Sequence, residues 1–270
     1  MPSDQHVQHL SVGEGRNSRP IAYLTQPRNA PGDSPGILWL QGFKSEMMSI
    51  KATALAEWTA ARGLPYTRFD YSGHGQSCFE PDGRFEDGTI SKWLEESAAI
   101  FDRVTTGRQI VVGSSMGGYL ALLLARKLRV ATAPPNASRI AALVLIAPAW
   151  DMTEELMWRR AGDDARRAIL QDGVWYRPSR YGDEPYAITR GLIEDGRNNL
   201  LGTTPWDPGC PVEIIHGRLD PDVPFAHSER LAASLTATRV TLTEVPDGEH
   251  RLSRPEDLEL LFTRIAAHLG

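Results

Sequence analysis

Ser115 is central to Gly113-Ser114-Ser115-Met116-Gly117, a Gly-x-Ser-x-Gly run that follows the apolar stretch Ile110-Val111-Val112 and precedes a helical pattern. A strand-to-helix turn this tight forces its middle residue into strained backbone geometry. Gly113 and Gly117 are therefore the elbow positions that must lack side chains. The turn lifts the Ser115 hydroxyl clear of a sheet edge, and the helix behind it aims its N–H groups and positive dipole end at the same point. Such a placement suits attack on a carbonyl carbon, with donors waiting for the oxyanion.

A serine hydroxyl is a weak nucleophile without a base, and the base needs an acid to orient it. Behind an elbow of this kind the chain order is serine, acid, histidine. Asp220 lies just past the apolar strand at 212–215, in His216-Gly217-Arg218-Leu219-Asp220-Pro221-Asp222-Val223-Pro224. His250 follows the last strand in Pro246-Asp247-Gly248-Glu249-His250. Ser115, Asp220 and His250 are the expected catalytic set, with Asp222 as the rival acid. Asp247 is too close in sequence to His250 to orient it from the far side, and suits the turn with Gly248. His216, at a strand end, reads as a hydrogen-bonding anchor for its turn. His227, near a helix start, is expected to be partly exposed, and His6, His9 and His268 sit near the termini.

An oxyanion needs two backbone donors. One is the N–H of Met116, and the other is assigned to Phe43 in the loop 40–46, where Gly42 permits close approach. Lys44 and Ser45 of that loop can reach substrate, although Ser45 equally suits capping the next helix.

The elements that must hold these residues alternate along the chain. Short, largely apolar runs recur at 37–40, 66–69, 110–112, 143–147, 212–215 and 240–245, and between most of them lie helical patterns at 47–61, 91–104, 116–128 and 226–235. A last helix is expected at 255–269, with Pro255 in its first turn. Strands that are mostly apolar, separated by helices, imply a parallel sheet covered on both faces. Segments 6–13 and 20–25 flank a polar turn and read as a hairpin, which makes the sheet mixed. The expectation is an α/β fold with about eight strands, mostly parallel. One region breaks the alternation. Residues 152–210 carry aromatic residues among nearly balanced charges and show no convincing buried strand. This region is expected to be a mostly helical lid over the carboxyl edge of the sheet, dividing the core into 1–151 and 211–270.

Composition removes other classes. The 270 residues carry 29 Lys+Arg against 34 Asp+Glu, a net charge of −5, without the basic surplus of a nucleic-acid binder. No apolar stretch reaches the ~20 residues of a membrane span. Two cysteines allow at most one disulfide, and the first ten residues resemble neither a signal nor a transit peptide, so a cytoplasmic setting is expected. The chain has no His-Glu-x-x-His, no Gly-Lys-Ser/Thr phosphate loop and no dinucleotide fingerprint, so a metal or nucleotide enzyme is not expected. The expected partner is a small-molecule ester or other acylated substrate, and the assembly a monomer or homodimer.

These residues resemble the α/β-hydrolase superfamily over nearly the whole chain. Asp70-Tyr71-Ser72-Gly73-His74-Gly75-Gln76-Ser77 fits the superfamily's Asp-x-x-Gly-x-Gly-x-Ser loop, which is architectural and implies that His74 is not a catalyst. A narrower likeness lies in Gly42-Phe43-Lys44-Ser45-Glu46-Met47, the segment 68–77, Trp93 and 112–119. It is to the branch of the mitochondrial palmitoyl-protein thioesterase, also described as an acyl-glucuronide esterase. That resemblance implies hydrolysis of thioesters or activated carboxylic esters without metal or organic cofactor. This sequence differs from the animal members in starting almost at the first strand. A serine nucleophile argues against dehalogenase and epoxide hydrolase chemistry, which uses aspartate at the elbow. C–C bond hydrolases, serine peptidases and acyltransferases share the same three residues, and a non-catalytic binding protein on this fold is the alternative of a different class.

Overall fold

In the computed structural model, residues 6–78, 83–131, 139–180, 184–237 and 239–270 are described. Strands β1 (Gln8–Val12) and β2 (Arg19–Gln26) form the expected hairpin, and β2 runs antiparallel to β4 (Tyr66–Phe69). From β4 onward the pairing is parallel, through β3 (Gly36–Leu40), β5 (Gln109–Ser114), β6 (Ile140–Ile146), β9 (Val212–Gly217) and β10 (Val240–Val245). Together they make one eight-stranded sheet in the order β1-β2-β4-β3-β5-β6-β9-β10. Every residue of β3, β5, β6 and β9 is buried, which is why these strands read as largely apolar runs rather than alternating ones, with Gln109, Ser114, Glu213 and His216 as the buried polar exceptions.

Helices cover both faces and sort the apolar side chains into two main cores. Helices α2 (Ile90–Arg103) and α3 (Met116–Ala131) enclose one core with Phe69, Trp93, Tyr119 and Leu145. Helices α1 (Ile50–Ala60) and α7 (Pro255–Ala266) close the other over Ile37, Trp39, Val112 and Ile146. Ser49, not Ser45, stands at the N-cap of α1, because the helix begins three residues later than its apolar pattern.

The segment between β6 and β9 is only partly helical. It holds a π-helical turn (Thr153–Trp158), α4 (Asp163–Gln171) and α5 (Arg190–Arg197). It also contains a two-stranded antiparallel sheet, β7 (Val174–Arg177) with β8 (Tyr186–Thr189), which the sequence pattern does not announce. The segment is tied to the core by Asp151, whose carboxylate accepts the N–H groups of Leu201 at 2.7 Å and Gly202 at 2.9 Å. α6 (Phe225–Ser234) then packs beside β9 and β10.

Candidate active site

The elbow is built as its glycines require. Ser115 has φ of +55°, the left-handed region that a side chain enters at a cost. It is held there because its N–H donates to the Ile146 carbonyl at 2.8 Å and its carbonyl accepts from Ala149 at 3.1 Å. A Cβ on Gly113 would stand 2.3 Å from the Gly117 carbonyl oxygen, and one on Gly117 would stand 2.0 Å from that of Leu40. The two glycines therefore let β5, the first turn of α3 and the end of β3 meet without side chains between them.

The structure brings Ser115, His250 and Asp220 together from three separate connections. Ser115 Oγ is 3.1 Å from His250 Nε2, and His250 Nδ1 is 2.7 Å from Asp220 Oδ2. The acid and histidine loops meet because β9 and β10 are parallel neighbours whose carboxyl ends lie side by side. Gly217 allows the approach, since a Cβ there would come within 2.3 Å of the Gly248 carbonyl oxygen. Two further bonds staple the loops, Arg218 N–H to Val245 and Leu219 N–H to Gly248, both 2.9 Å.

Asp220 is unusually well supplied with donors. Its Oδ1 accepts the N–H groups of Asp222 and Val223, each at 2.8 Å. Its Oδ2, besides the bond from His250, accepts His216 Nε2–H at 3.2 Å. Burial alone would raise the Asp220 carboxyl, but the bonds from His216, His250 and Val223 outweigh it and hold the group well below the usual carboxylate range. His216 does anchor its turn as expected, accepting from or donating to Ser228 Oγ at 2.6 Å and bonding the Val223 carbonyl at 3.0 Å. Its direct contact with the Asp220 carboxylate goes beyond that expectation. The i to i+4 spacing across a strand end was the available signal.

The rival groups fall elsewhere. Asp247 is exposed and pairs with Arg254 at 2.8 Å. The donor atoms of Asp222, Asp220 and His250 lie within 4.8 Å of one another, so Asp222 remains near the histidine. His227 is buried rather than partly exposed, because its ring stacks on Trp150 at 4.7 Å and its Nε2 bonds the Trp150 carbonyl at 2.8 Å. His74 is also buried. Its Nδ1–H donates to the Ser72 carbonyl at 3.2 Å and its Nε2 accepts the Lys44 N–H at 3.1 Å.

That last bond fixes the loop carrying Phe43. Lys44 has φ of +57°, and its ammonium reaches Glu184 at 3.0 Å and the Pro185 carbonyl at 3.2 Å. The Phe43 ring packs edge-on against Phe85 at 4.8 Å. A Cβ on Gly42 would be 3.5 Å from Ser115 Cβ, an ordinary contact, so closeness to the elbow does not itself demand glycine there. The Phe43 N–H has no hydrogen-bond partner among the described residues, and the Met116 N–H, first in its helix, has none within the helix.

A cavity of about 490 Å³ opens over Ser115 and His250. Phe43 and Ile50 line it from the core, while Met152, Leu156, Met157 and Tyr186 supply the wall from the inserted segment. No helix among the described residues is long and apolar enough to cross a membrane.

The two buried imidazoles set a pH dependence of stability. Burial pushes His74 and His227 down from the ordinary value of 6.5 to about 4. Below pH 6.5 the unfolded chain takes up these protons and the folded protein does not, so stability is complete above that pH and declines as pH falls toward 4. The loss by pH 4 is on the order of 3 kcal/mol for each group. The urea midpoint should therefore fall steadily between pH 7 and pH 4.5, and a flat midpoint over that range would contradict the assignment.

Residues 37–259 match the family model described as the alpha/beta hydrolase family. A bovine relative, named palmitoyl-protein thioesterase ABHD10, mitochondrial, is 33% identical over 260 residues, covering 93% of this chain and 80% of its own. The human protein of that name is 31% identical with the same coverage. Among solved structures, an Agrobacterium vitis S4 protein provisionally named a hydrolase superposes with a TM-score of 0.92 at 41% identity, covering 98% of this chain and 99% of its own. Mouse alpha/beta hydrolase domain-containing protein 10 superposes at 0.80 with 30% identity, covering 97% of each chain. The expected cytoplasmic setting is corrected by these relatives, since those from all five mammals are named mitochondrial. Charge and cysteine count do not separate the two compartments. Ester or thioester hydrolysis is the activity that these similarities support, and the chain belongs to the alpha/beta hydrolase family.

Proposed function

We propose that this hydrolase cleaves carboxylic esters or thioesters through an acyl-enzyme on Ser115. The observation that carries the reading is the run Ser115 Oγ, His250, Asp220, joined at 3.1 and 2.7 Å beneath an open cavity. His250 Nε2 takes the hydroxyl proton as Oγ attacks the acyl carbon. Asp220 keeps the imidazole proton on Nδ1 and stabilises the cation that forms. The N–H groups of Met116 and Phe43 receive the oxyanion, a contribution of roughly 3 kcal/mol per donor in serine hydrolases. His250 then protonates the leaving alkoxide or thiolate, water repeats the attack, and the acid is released.

Each supporting residue has a place in this scheme. His216 and the two backbone donors orient the Asp220 carboxylate, and His74 holds the Phe43–Lys44 loop at the elbow. The segment 152–210 serves as the lid. Its Met152, Leu156 and Met157 give the acyl chain an apolar wall, which suits the acylated substrates implied by the names of the mammalian relatives.

A fluorophosphonate probe should label the folded protein at one residue, Ser115, identified by peptide mass spectrometry. Labelling elsewhere, or none, would defeat the assignment and favour a binding protein on the same fold. Hydrolysis of matched acyl chains offered as oxygen esters and as thioesters then ranks the leaving groups.

A further inference from the structure

A second cavity, of about 370 Å³, lies between the inserted segment and the acid loop. It shares Leu156, Arg177, Tyr186 and Asp222 with the cavity over Ser115, so the two adjoin. Arg160, Arg177 and Arg180 all line it, against Asp222 as the one lining carboxylate among the described residues.

This gathering of guanidiniums runs against the balance of the whole chain, whose net charge is −5. Four of the segment's five other arginines meet carboxylates, Arg159 with Glu155 at 2.6 Å, Arg167 with Asp164 at 3.0 Å, Arg190 with Glu194 at 2.6 Å and Arg197 with Glu154 at 3.0 Å, while Arg166 bonds the Trp158 and Arg159 carbonyls. None of the three cavity arginines has an ion pair within 4.0 Å among the described residues. Arg160 is spent on a backbone carbonyl, that of Asp222, at 2.8 Å. Arg177 lies over the Tyr186 ring at 5.3 Å, and burial, against the pull of Asp222 and Tyr186 and helped by Arg160 and Arg180, lowers its affinity for its proton. Arg160 and Arg180 are exposed, so water screens much of their repulsion, while half-buried Arg177 bears the rest against the pull of Asp222. Among the described lining residues, three positive charges against one negative leave a surplus of two, which a phosphate, near −2 at neutral pH, balances and a single carboxylate does not. Guanidinium forks also suit phosphate oxygens.

We propose that this second cavity is a phosphate subsite, and that the substrates include acyl thioesters whose thiol half carries phosphate. The inference rests on the serine hydrolase reading above. The apolar wall of the first cavity suits the acyl chain, so the phosphate belongs to the leaving group, lying past Leu156 and Tyr186.

The test compares octanoyl-coenzyme A with octanoyl-pantetheine, which has the same thioester and no phosphate. At low salt the full chain should favour the coenzyme A thioester by about tenfold in kcat/KM, mainly through KM, as one charge-assisted contact supplies. The preference should shrink at roughly 0.5 M salt. It should fall toward one in Arg177→Met and in Arg180→Met, where Arg180 is exposed and its replacement spares the core. An oxygen ester with a carboxylate on its alcohol should gain less than the phosphate-bearing thioester. Equal kcat/KM for the two thioesters, a ratio untouched by both substitutions, or an equal gain from the carboxylate would overturn the proposal. Absence of hydrolysis for both thioesters would instead strike the serine hydrolase reading. Calorimetric titration with coenzyme A then isolates the subsite: binding that Arg180→Met weakens supports it, and no binding to the parent protein overturns it.

Discussion

Ser115→Ala is expected to lower thioester and ester hydrolysis by about 10⁴-fold or more while leaving the fold in place. The substitution removes one oxygen, which is hydrogen-bonded to His250 Nε2. What holds the elbow is backbone. The bonds from Ser115 N–H to Ile146 and from Ala149 N–H to the Ser115 carbonyl do not involve the hydroxyl. The left-handed φ is as accessible to alanine as to serine, and Gly113 and Gly117 keep the close approaches that define the turn. The residual rate should come from the N–H groups of Met116 and Phe43, proposed as oxyanion donors, and from binding, because these remain when the Ser115 hydroxyl is gone. Thermal unfolding followed by circular dichroism should match the parent protein, and single-turnover hydrolysis should show no acyl-enzyme burst. A variant retaining a tenth of the parent rate would remove Ser115 from the mechanism.

Much of this site is legible in the sequence because its decisive constraints are local. The Gly113 and Gly117 positions, the apolar run before them and the helix after them can all be read within a dozen residues. Fully buried parallel strands likewise announce themselves as apolar runs. What escapes are the contacts made across the chain. His227 looks like an exposed helix-start residue until Trp150, 77 positions away, stacks on it. The closeness of Gly217 to Gly248 depends on β9 and β10 being neighbours, which no residue near either glycine states. Strands β7 and β8 are hidden for a different reason. They pair only with each other, so in β7 Val174, Trp175 and Arg177 are half-buried and Tyr176 exposed, while β8 buries only Ala187 and Ile188, too short a run to announce a covered strand. The arginine cluster is assembled from residues 160, 177 and 180, separated by a helix and a strand, and forms only when the segment folds back on the acid loop.

Asp220→Asn is expected to cost about 10⁴-fold in kcat, against less than about tenfold for Asp222→Asn. The difference follows from where each oxygen points. Oδ1 of Asp220 faces the N–H groups of Asp222 and Val223, so an asparagine must keep its carbonyl oxygen on that side. Its amide nitrogen is then turned toward His250 Nδ1 and His216 Nε2, placing donors against donors. His250 relieves the clash by moving its proton to Nε2, which leaves no lone pair to accept the Ser115 proton. The imidazole stays within reach of the hydroxyl and loses the ability to act as base. Asp222 comes within 4.8 Å of the same histidine and contributes its backbone N–H to Asp220, a bond that survives replacement of its side chain. Its carboxylate also faces the arginine-lined cavity, so Asp222→Asn should act on substrates with charged leaving groups and little on neutral ones. Parallel kcat measurements on a neutral thioester decide between the two acids: if Asp222→Asn is the crippled variant and Asp220→Asn the mild one, Asp222 orients His250 and the two roles are reversed.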